Sequence, residues 1–258
     1  MMRGLAISLA VTMAAVSGSA HAGVVDFSTM QLNGTGISAT ATTLHLNDGV
    51  GGETTSAFLP TAVASNSTFT SSFKLTLTGN PNNPNCCNSP IADGVTFIIQ
   101  NDPAGAGALG GGGGGVGANG ITKSVGVGFQ SWDNNRFSIF QDGNIGGGPI
   151  HNFNLGDQND VVLVTLSYAG HILNVNANNL STGTSISDSL NIDLGTLGPS
   201  VYFGFTGGTG LGYAYQDVQS WDLNIGAGGV PEPATWAMLI MGFGLIGTSV
   251  RRRRLARV

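Results

Sequence analysis

Six consecutive glycines, residues 110–115, are the stretch of this sequence that first suggests a ligand. A glycine-rich loop can cradle phosphate when it joins a strand to a helix that carries Lys and Ser or Thr at its start. Here the segment continues through "VGANGITKSVGVGF" into another predicted strand, which excludes a phosphate cradle. Strands of one pattern flank the run on both sides, which disfavours an interdomain linker. The glycines therefore predict a loop on which a ligand can approach bare backbone N–H groups.

Carboxylates dominate the charged side chains. Between Gly23 and Gly229, twelve Asp and the single Glu53 face only three basic residues, for a formal charge of −10. Such a surface repels nucleic acid and anionic lipid. Glycoside cleavage needs a pair of carboxylates that flank the bond, and no spacing among the aspartates indicates one. Hydrolysis is therefore the least favoured class of function.

The apolar residues follow a period of two, which is typical of half-buried strands. In "SSFKLTLTG", Phe73, Leu75 and Leu77 alternate with polar residues. Further strands are predicted in "ISATATTLHL", "GVTFIIQ", "SVGVGFQSW", "RFSIFQDG", "VVLVTLSY", "HILNVNAN", "TSISDSLNI", "VYFGFT" and "DVQSWDLNI". Residues 46–50 and 168–171 are candidate tight hairpins. Since no stretch predicts a long amphipathic helix, we expect one antiparallel β-sandwich or barrel.

The N-terminus carries an export signal. Arg3, an apolar run over 5–16 and the pattern Ala20-His21-Ala22 are typical of a signal peptide spanning 1–22. We expect signal peptidase to cut after Ala22. The mature protein is therefore predicted to leave the cytoplasm.

The C-terminal tail, residues 228–258, carries Pro231, Glu232 and Pro233, then an apolar stretch over 234–250 and four arginines. Its length and flanking charge predict a transmembrane helix whose arginines stay in the cytoplasm. The order resembles the PEP-CTERM sorting signal of Gram-negative, exopolysaccharide-making bacteria. That resemblance implies an exosortase that cleaves near the Pro-Glu-Pro. The protein would pass from the inner membrane to the cell surface or the extracellular matrix.

The two cysteines, Cys86 and Cys87, are adjacent in the sequence. An exported protein permits disulfides, and neighbouring cysteines can close a strained ring. We expect such a ring to staple the local loop. Pairing between chains and metal binding by the two thiols are the alternatives.

An ordered series of motifs runs through the predicted domain, residues 23–227. It comprises "SAFLP" at 56–60, "ADGVTFIIQN" at 92–101, the glycine run, "SVGVGFQSWDNN" at 124–135, and "VYFGFTGGTG" followed by "YQDVQSWDL". In this order the series resembles the L-type, or legume-lectin-like, domain. The resemblance implies an all-β, concanavalin-like jelly-roll sandwich of antiparallel sheets. It also implies that sugar binds at loops on one end of the sandwich.

The resemblance places the family's sugar-binding aspartate on Asp93, after a cis peptide bond. A carboxylate can accept hydrogen bonds from two sugar hydroxyls at once. The family's backbone N–H donor falls within the glycine run, best at Gly114. The alternatives are an Asx turn at Asp93 and a merely flexible loop at Gly114.

Further contacts follow from the same resemblance. Asn134 matches the Asn that binds sugar through its side-chain amide, and Trp132 matches the aromatic residue on which a sugar stacks. A buried core tryptophan is the alternative for Trp132. The last loop falls around Gly208 and Thr209, where small residues say little about which sugar is held.

The resemblance also implies where the family's metals would lie. Its transition metal and calcium are held by a Glu and an Asp two residues apart, an aromatic residue's carbonyl, an Asn, a further Asp and a His. The Glu and Asp positions hold Gly128 and Gln130 here, and Arg136 lies about where the His would be. We therefore expect no transition metal and no cofactor. Arg136 is expected to take part of the cation's space and to supply positive charge near Asp93.

Calcium stays open as an alternative, because it accepts neutral oxygen ligands alongside carboxylates. The candidate ligands are Gln130, Trp132, Asp133 and Asn134, with Asp142 as a second nearby carboxylate.

The expected function is reversible carbohydrate binding by an exported protein, with the producer's own exopolysaccharide as a candidate partner. A structural matrix protein without a defined sugar ligand is the alternative. A sandwich-fold glycoside hydrolase is less favoured, because the strand "VGVGFQSW" lacks the closely spaced Glu and Asp that such enzymes carry.

Overall fold

The computed structural model describes residues 22–82, 91–131, 135–155 and 159–226. Sixteen strands lie within these residues: β1 Ala22–Val24, β2 Gln31–Gly34, β3 Ser38–Ala39, β4 Thr43–Asp48, β5 Thr54–Phe58, β6 Val63–Ala64, β7 Thr68–Gly79, β8 Gly94–Gln100, β9 Ser124–Gln130, β10 Arg136–Gln141, β11 Ile150–Asn152, β12 Val161–Ala169, β13 Ile172–Asn179, β14 Ser185–Asn191, β15 Ser200–Gly208 and β16 Ala214–Gly226. The helices there are single 3₁₀ turns: Phe27–Thr29, Gly105–Gly107, Gly113–Gly115 and Leu194–Thr196.

The strands form two antiparallel sheets. Sheet I has the order β14-β13-β12-β7-β16-β4-β3, with β1 also paired to β16. Sheet II has the order β11-β10-β9-β8-β15-β5-β2, with β6 also paired to β15. Neighbours in these orders are often distant in sequence, as in a jelly-roll sandwich. The predicted all-β sandwich is confirmed.

The main core lies between the two sheets. Along β7 the buried residues alternate with accessible ones, as the period of two predicts. At the centre, Phe205 meets Phe73 and Trp221 edge to face, with ring centroids 4.9 Å apart in both pairs. The Trp221 indole N–H donates to Ser71 Oγ at 2.9 Å, so the largest core side chain is also satisfied.

A second apolar cluster covers the outer face of sheet II. It consists of Phe58, Ile98, Ala106, Ala108, Val116, Ala118, Ile121, Phe140 and Ile145. Several of these belong to the segment between β8 and β9, which folds back over the sheet. Strands β8 and β9 are therefore buried on both faces, and all seven residues of each are buried.

One of the two predicted hairpins is confirmed. Ala169 pairs with Ile172, and both Gly170 and His171 have positive φ, which is the geometry of a two-residue type I′ turn. The hairpin predicted at 46–50 is wrong. Strand β4 pairs with β3 and β16 in sheet I, whereas β5 pairs with β2 and β15 in sheet II. The turn residues there carry the chain from one sheet to the other.

Candidate functional site

The peptide before Asp93 is cis, as the sequence resemblance implied. Asp93 lies immediately before β8, and its backbone is held on both sides. Its N–H donates to the Gly208 carbonyl at 3.0 Å, and its carbonyl accepts from the Ser131 N–H at 2.9 Å. The ends of β15 and β9 therefore fix the place of Asp93.

The Asp93 carboxylate is an acceptor with spare capacity. The residue is only 6% exposed, and its Oδ2 has no hydrogen-bond partner among the described residues. Burial raises the pKa of Asp93 to about 6. A β-carbon at Gly210 would lie 3.0 Å from Oδ2, and one at Gly113 would lie 3.8 Å away. Two glycine-containing loops thus meet at this carboxylate.

The glycine run is a folded loop rather than a linker. Gly111 donates to the Asn119 carbonyl and Gly117 donates to the Gly111 carbonyl, both at 2.8 Å. Val116 is fully buried with φ of 44°, a strained left-handed conformation for a β-branched residue. A β-carbon at Gly117 would collide with the Thr55 carbonyl, so only glycine fits against the sheet at that point.

Gly114 has the accessibility that its predicted role requires. It is exposed, and its N–H donates to no described residue. Its carbonyl accepts from Gln130 Nε2 at 2.8 Å, which ties the loop to the end of β9. The preceding Gly113 N–H donates to the Thr209 carbonyl at 3.2 Å. The glycine loop and the loop after β15 therefore hold each other.

The loop after β15 contains both buried and exposed residues. The Thr209 side chain is buried, and its hydroxyl accepts from the Glu53 N–H and donates to the Val50 carbonyl. Gly208 offers its carbonyl to the Asp93 N–H. The exposed part is one or two residues further on, where Gly210 approaches Asp93 and Leu211 is 82% exposed. Sequence reasoning missed both Gly210 and Leu211, because alternation cannot tell which residues of a glycine-rich loop face outward.

Three predicted residues, Trp132, Asp133 and Asn134, lie outside the described residues. So do the adjacent Cys86 and Cys87 and the sorting residues Pro231, Glu232 and Pro233. Ala22, the residue predicted to precede the signal-peptidase cut, begins β1 opposite Asn224.

At two of the family's metal positions, Gly128 and Gln130 supply no carboxylate. Phe140 lies over Gly126 and close to Gly128, where a β-carbon would come within 3.3 Å of the ring. The next residue on this face, Gln130, turns its amide nitrogen toward the Gly114 carbonyl. No group of three or more His, Cys, Asp or Glu side chains is gathered within the described ranges.

Burial is the cause of the raised pKa of Asp93, and the expected position of the Arg136 charge near Asp93 stays a prediction. One other expectation about this region is wrong. Asp142 cannot serve as a calcium ligand near Gln130. Its N–H donates to Ser124 at the opposite end of β9, about 20 Å away along the strand.

Comparison with known proteins matches the fold and the tail separately. The lectin from Bauhinia forficata in complex with GalNAc has a TM-score of 0.67 at 19% identity, over 81% of this chain and 98% of that one. The basic winged bean lectin with Tn-antigen has a TM-score of 0.64 at 21% identity, over 76% and 92%. Arcelin-5, a lectin-like defense protein from Phaseolus vulgaris, has a TM-score of 0.65 at 17% identity, over 81% and 97%.

The domain has a legume-lectin-like fold. In addition, the family model of the PEP-CTERM protein-sorting motif matches residues 229–254. The chain therefore joins a legume-lectin-like domain to a PEP-CTERM sorting motif, as the sequence resemblance implied. A comparison with curated proteins finds no match.

No helix within the described residues is long and apolar enough to cross a membrane, and the apolar stretch over 234–250 lies outside them. The legume-lectin-like domain holds its candidate site at one end, where the β8, β9 and β15 ends meet the glycine loop.

Proposed function

We propose that the legume-lectin-like domain binds a carbohydrate reversibly at Asp93. The observation that carries this proposal is the Asp93 carboxylate, which is buried, lacks a partner at Oδ2 and faces glycines from two loops. A buried acceptor without a donor is costly unless a ligand supplies the donor. Two neighbouring sugar hydroxyls can donate to one carboxylate.

The surroundings complete a sugar site. Gly114 offers an exposed N–H that can donate to a ring hydroxyl, and Leu211 offers an apolar side chain for the C–H surface of a sugar. From the sequence resemblance, Asn134 would add an amide and Trp132 a stacking ring. Gly208 and Thr209 would not contact the sugar themselves. They hold Asp93 and the loops in place through hydrogen bonds.

The same geometry favours binding without catalysis. Glycoside cleavage requires two carboxylates on either side of the bond. The mature domain's one glutamate, Glu53, is buried and accepts from Asn47 Nδ2 and the Asp48 N–H instead. Within the described residues, Asp93 is the carboxylate that faces the glycine loops. We therefore propose a lectin rather than a hydrolase.

We further propose that binding needs no metal. Gly128 and Gln130 supply no carboxylate, and Phe140 occupies the space above the glycines of β9. The folded loop, held through Gln130 and Gly114, would do the orienting that a cation does elsewhere.

The sorting motif suggests where this binding occurs. We propose that signal peptidase removes residues 1–22 and that an exosortase cleaves near Pro231, Glu232 and Pro233. Residues 234–250 would anchor the chain in the inner membrane until then. The lectin-like domain would then reach the cell surface or the polysaccharide matrix of a Gram-negative bacterium, with exopolysaccharide as its partner.

A screen of the full-length protein against a glycan array that includes bacterial exopolysaccharides tests the proposal. Asp93→Asn keeps the shape but weakens the acceptor, so we expect affinity to fall at least about tenfold. The matched control is Asp142→Asn, an exposed aspartate at the far end of β9, which should leave binding unchanged. Binding that survives Asp93→Asn would refute the site, and no binding by the wild type would favour a structural matrix role.

A further inference from the structure

Behind Asp93 lies a buried group of polar side chains that the proposed site does not yet explain. Gln216, on β16, is fully buried. Its Nε2 donates to the Gly208 carbonyl at 2.8 Å and to the Ala92 carbonyl at 3.3 Å. The Gly208 carbonyl also accepts from the Asp93 N–H. One amide of sheet I therefore binds both the carbonyl that precedes Asp93 and the carbonyl that accepts from the Asp93 N–H.

Gln216 is backed by two further buried polar residues. Asn47 lies directly opposite Gln216 in the β4–β16 pair and is 1% exposed. Its Nδ2 donates to Glu53 Oε2 at 3.3 Å, and the same oxygen accepts from the Asp48 N–H at 3.3 Å. The side chains of Glu53, Asn47 and Gln216 therefore lie next to one another in that order, and Gln216 contacts the Asp93 peptide.

The series has one defect. Asn47 Oδ1 and Gln216 Oε1 are both buried, and neither has a hydrogen-bond partner within the described residues. Both converge on Gly207, since a β-carbon there would lie 2.7 Å and 2.6 Å from the two oxygens. Two buried acceptors that lie close together without a protein donor are an unfavourable arrangement.

A half-turn of the Asn47 amide removes this defect, provided that Glu53 carries a proton. The turn exchanges Nδ2 and Oδ1, so the N–H group faces the same position at Gly207 as Gln216 Oε1 does, and we infer that it donates to that oxygen. The Asn47 oxygen then faces Glu53, which can donate to it only as a neutral carboxylic acid. Gln216 cannot turn in the same way, because its oxygen would then face two carbonyls.

The surroundings of Glu53 favour the neutral form. Burial raises the pKa of the Glu53 carboxyl, and the neighbouring Asp48 carboxylate raises it further, against the lowering effects of the hydrogen bonds from Asn47 and from the Asp48 N–H. Among the described residues, Asp48 is the one charged group that acts on Glu53. Gly36, Asn47 and Thr209, which also contact Glu53, are neutral.

We propose that Gln216 is a positioning residue for Asp93, and that a proton on Glu53 completes the relay through Asn47 that fixes Gln216. This inference rests on the proposed sugar site, because positioning matters only if Asp93 binds a ligand. It assigns a function to the mature domain's one glutamate and explains why Gly207 has no side chain.

The relay can be tested without sugar through Glu53→Gln in the full-length protein. A glutamine donates to Asn47 at every pH, as the protonated acid does. We expect the melting temperature of Glu53→Gln to exceed that of the wild type at pH 8, and the difference to vanish near pH 4. A simple anionic acceptor at Glu53 would give the opposite result, with Glu53→Gln less stable at pH 8, and that outcome would overturn the relay.

Gln216→Met tests the positioning role, with Gln219→Met on the same strand as the matched control. We expect Gln216→Met to shift the NMR titration midpoint of the Asp93 carboxyl and to weaken glycan binding at least tenfold, and we expect Gln219→Met to do neither. An unchanged Asp93 titration would overturn the role. If Gln216→Met does not fold, the Glu53→Gln comparison still decides the relay. A wild type that binds no glycan would instead refute the proposed function. The melting temperatures of Glu53→Gln and the Asp93 titration in Gln216→Met would still be interpretable, because neither measurement needs sugar.

Discussion

The outer faces of the two sheets differ in a way that locates the site. The outer face of sheet I carries short polar side chains, among them Thr70, Thr165, Asn174 and Asn224, along a groove of about 770 Å³. The outer face of sheet II is apolar and covered by the segment that contains the glycine run. A covered sheet can hold a buried, unpaired carboxylate at its end, whereas an uncovered sheet leaves its polar groups to water. The cover over sheet II therefore forms part of the proposed binding site.

The largest expected effect comes from opening that cover. Phe140 is 1% exposed and fills the space over Gly126, so Phe140→Ala should reduce the free energy of unfolding by about 4 kcal/mol. Thr165→Ala, on the exposed outer face of sheet I, should change it by less than about 0.5 kcal/mol. Urea unfolding monitored by tryptophan fluorescence measures both. Equal effects would mean that the two faces are not energetically distinct.

Two glycines, one under the cover of sheet II and one outside it, allow the same substitution to be compared in the two regions. Gly117 and Gly183 both have positive φ, at 69° and 74°. A β-carbon at Gly117 would collide with the Thr55 carbonyl, whereas one at Gly183 would meet nothing within 4 Å. We expect Gly117→Ala to cost about 3 kcal/mol and to weaken sugar binding, and Gly183→Ala to cost about 1 kcal/mol with binding intact. Similar losses in the two variants would show that the loop can move away from sheet II.

These expectations also show which parts of the fold the sequence could predict. Strand β7 was predictable because one of its faces meets the core and the other meets water, so that its polarity alternates. The crossing from β4 to β5 was not, because Asp48 and Gly49 indicate a turn without indicating which sheet receives the next strand. The cover over sheet II was hidden as well, since a run of glycines has no polarity pattern.

The candidate site was predictable to a similar extent. Asp93 and the glycine run could be placed because the order of motifs resembled a known domain. Gln216 and Asn47 gave no signal. A polar residue on a strand is normally predicted to face solvent, so the sequence does not reveal that these two side chains face the interior. Thr209, predicted near the sugar surface, has a buried side chain, whereas Leu211 two residues further on is exposed. A glycine-rich loop has no alternation of polarity that would distinguish the two.

A smaller expected effect is a pH dependence that separates stability from binding. The pKa of Asp93 is about 6 in the folded protein, above its ordinary 3.8. The protonated form is therefore favoured by folding, so this contribution is fully present below pH 4 and is lost as the pH rises through 6. At 1.36 kcal/mol per pK unit, its size is at most about 3 kcal/mol.

Sugar affinity should move in the opposite direction over the same window, because the ionised carboxylate accepts hydrogen bonds from hydroxyls more strongly than the neutral acid does. Urea titrations and calorimetric binding between pH 4 and 7 measure the two quantities. Asp93→Asn is the control, since its stability should lack this dependence. Stability and affinity that rise together with pH would contradict the assignment.

The smallest expected effect is that of removing metal. With no carboxylate at Gly128 or Gln130, treatment with EDTA should shift the melting temperature by less than about 1 °C and leave glycan binding unchanged. Elemental analysis of the purified protein provides the check. A stoichiometric metal, together with a large fall in melting temperature on chelation, would show that the domain holds an ion after all.

The central claim is that the covered end of sheet II, and not the polar groove of sheet I, binds sugar. A crystal structure of the full-length protein with the strongest glycan from the array tests this most directly. We predict that two sugar hydroxyls donate to the Asp93 carboxylate while the Gly114 N–H donates to the sugar. A glycan seated on the outer face of sheet I, with Asp93 Oδ2 still without a donor, would contradict the account.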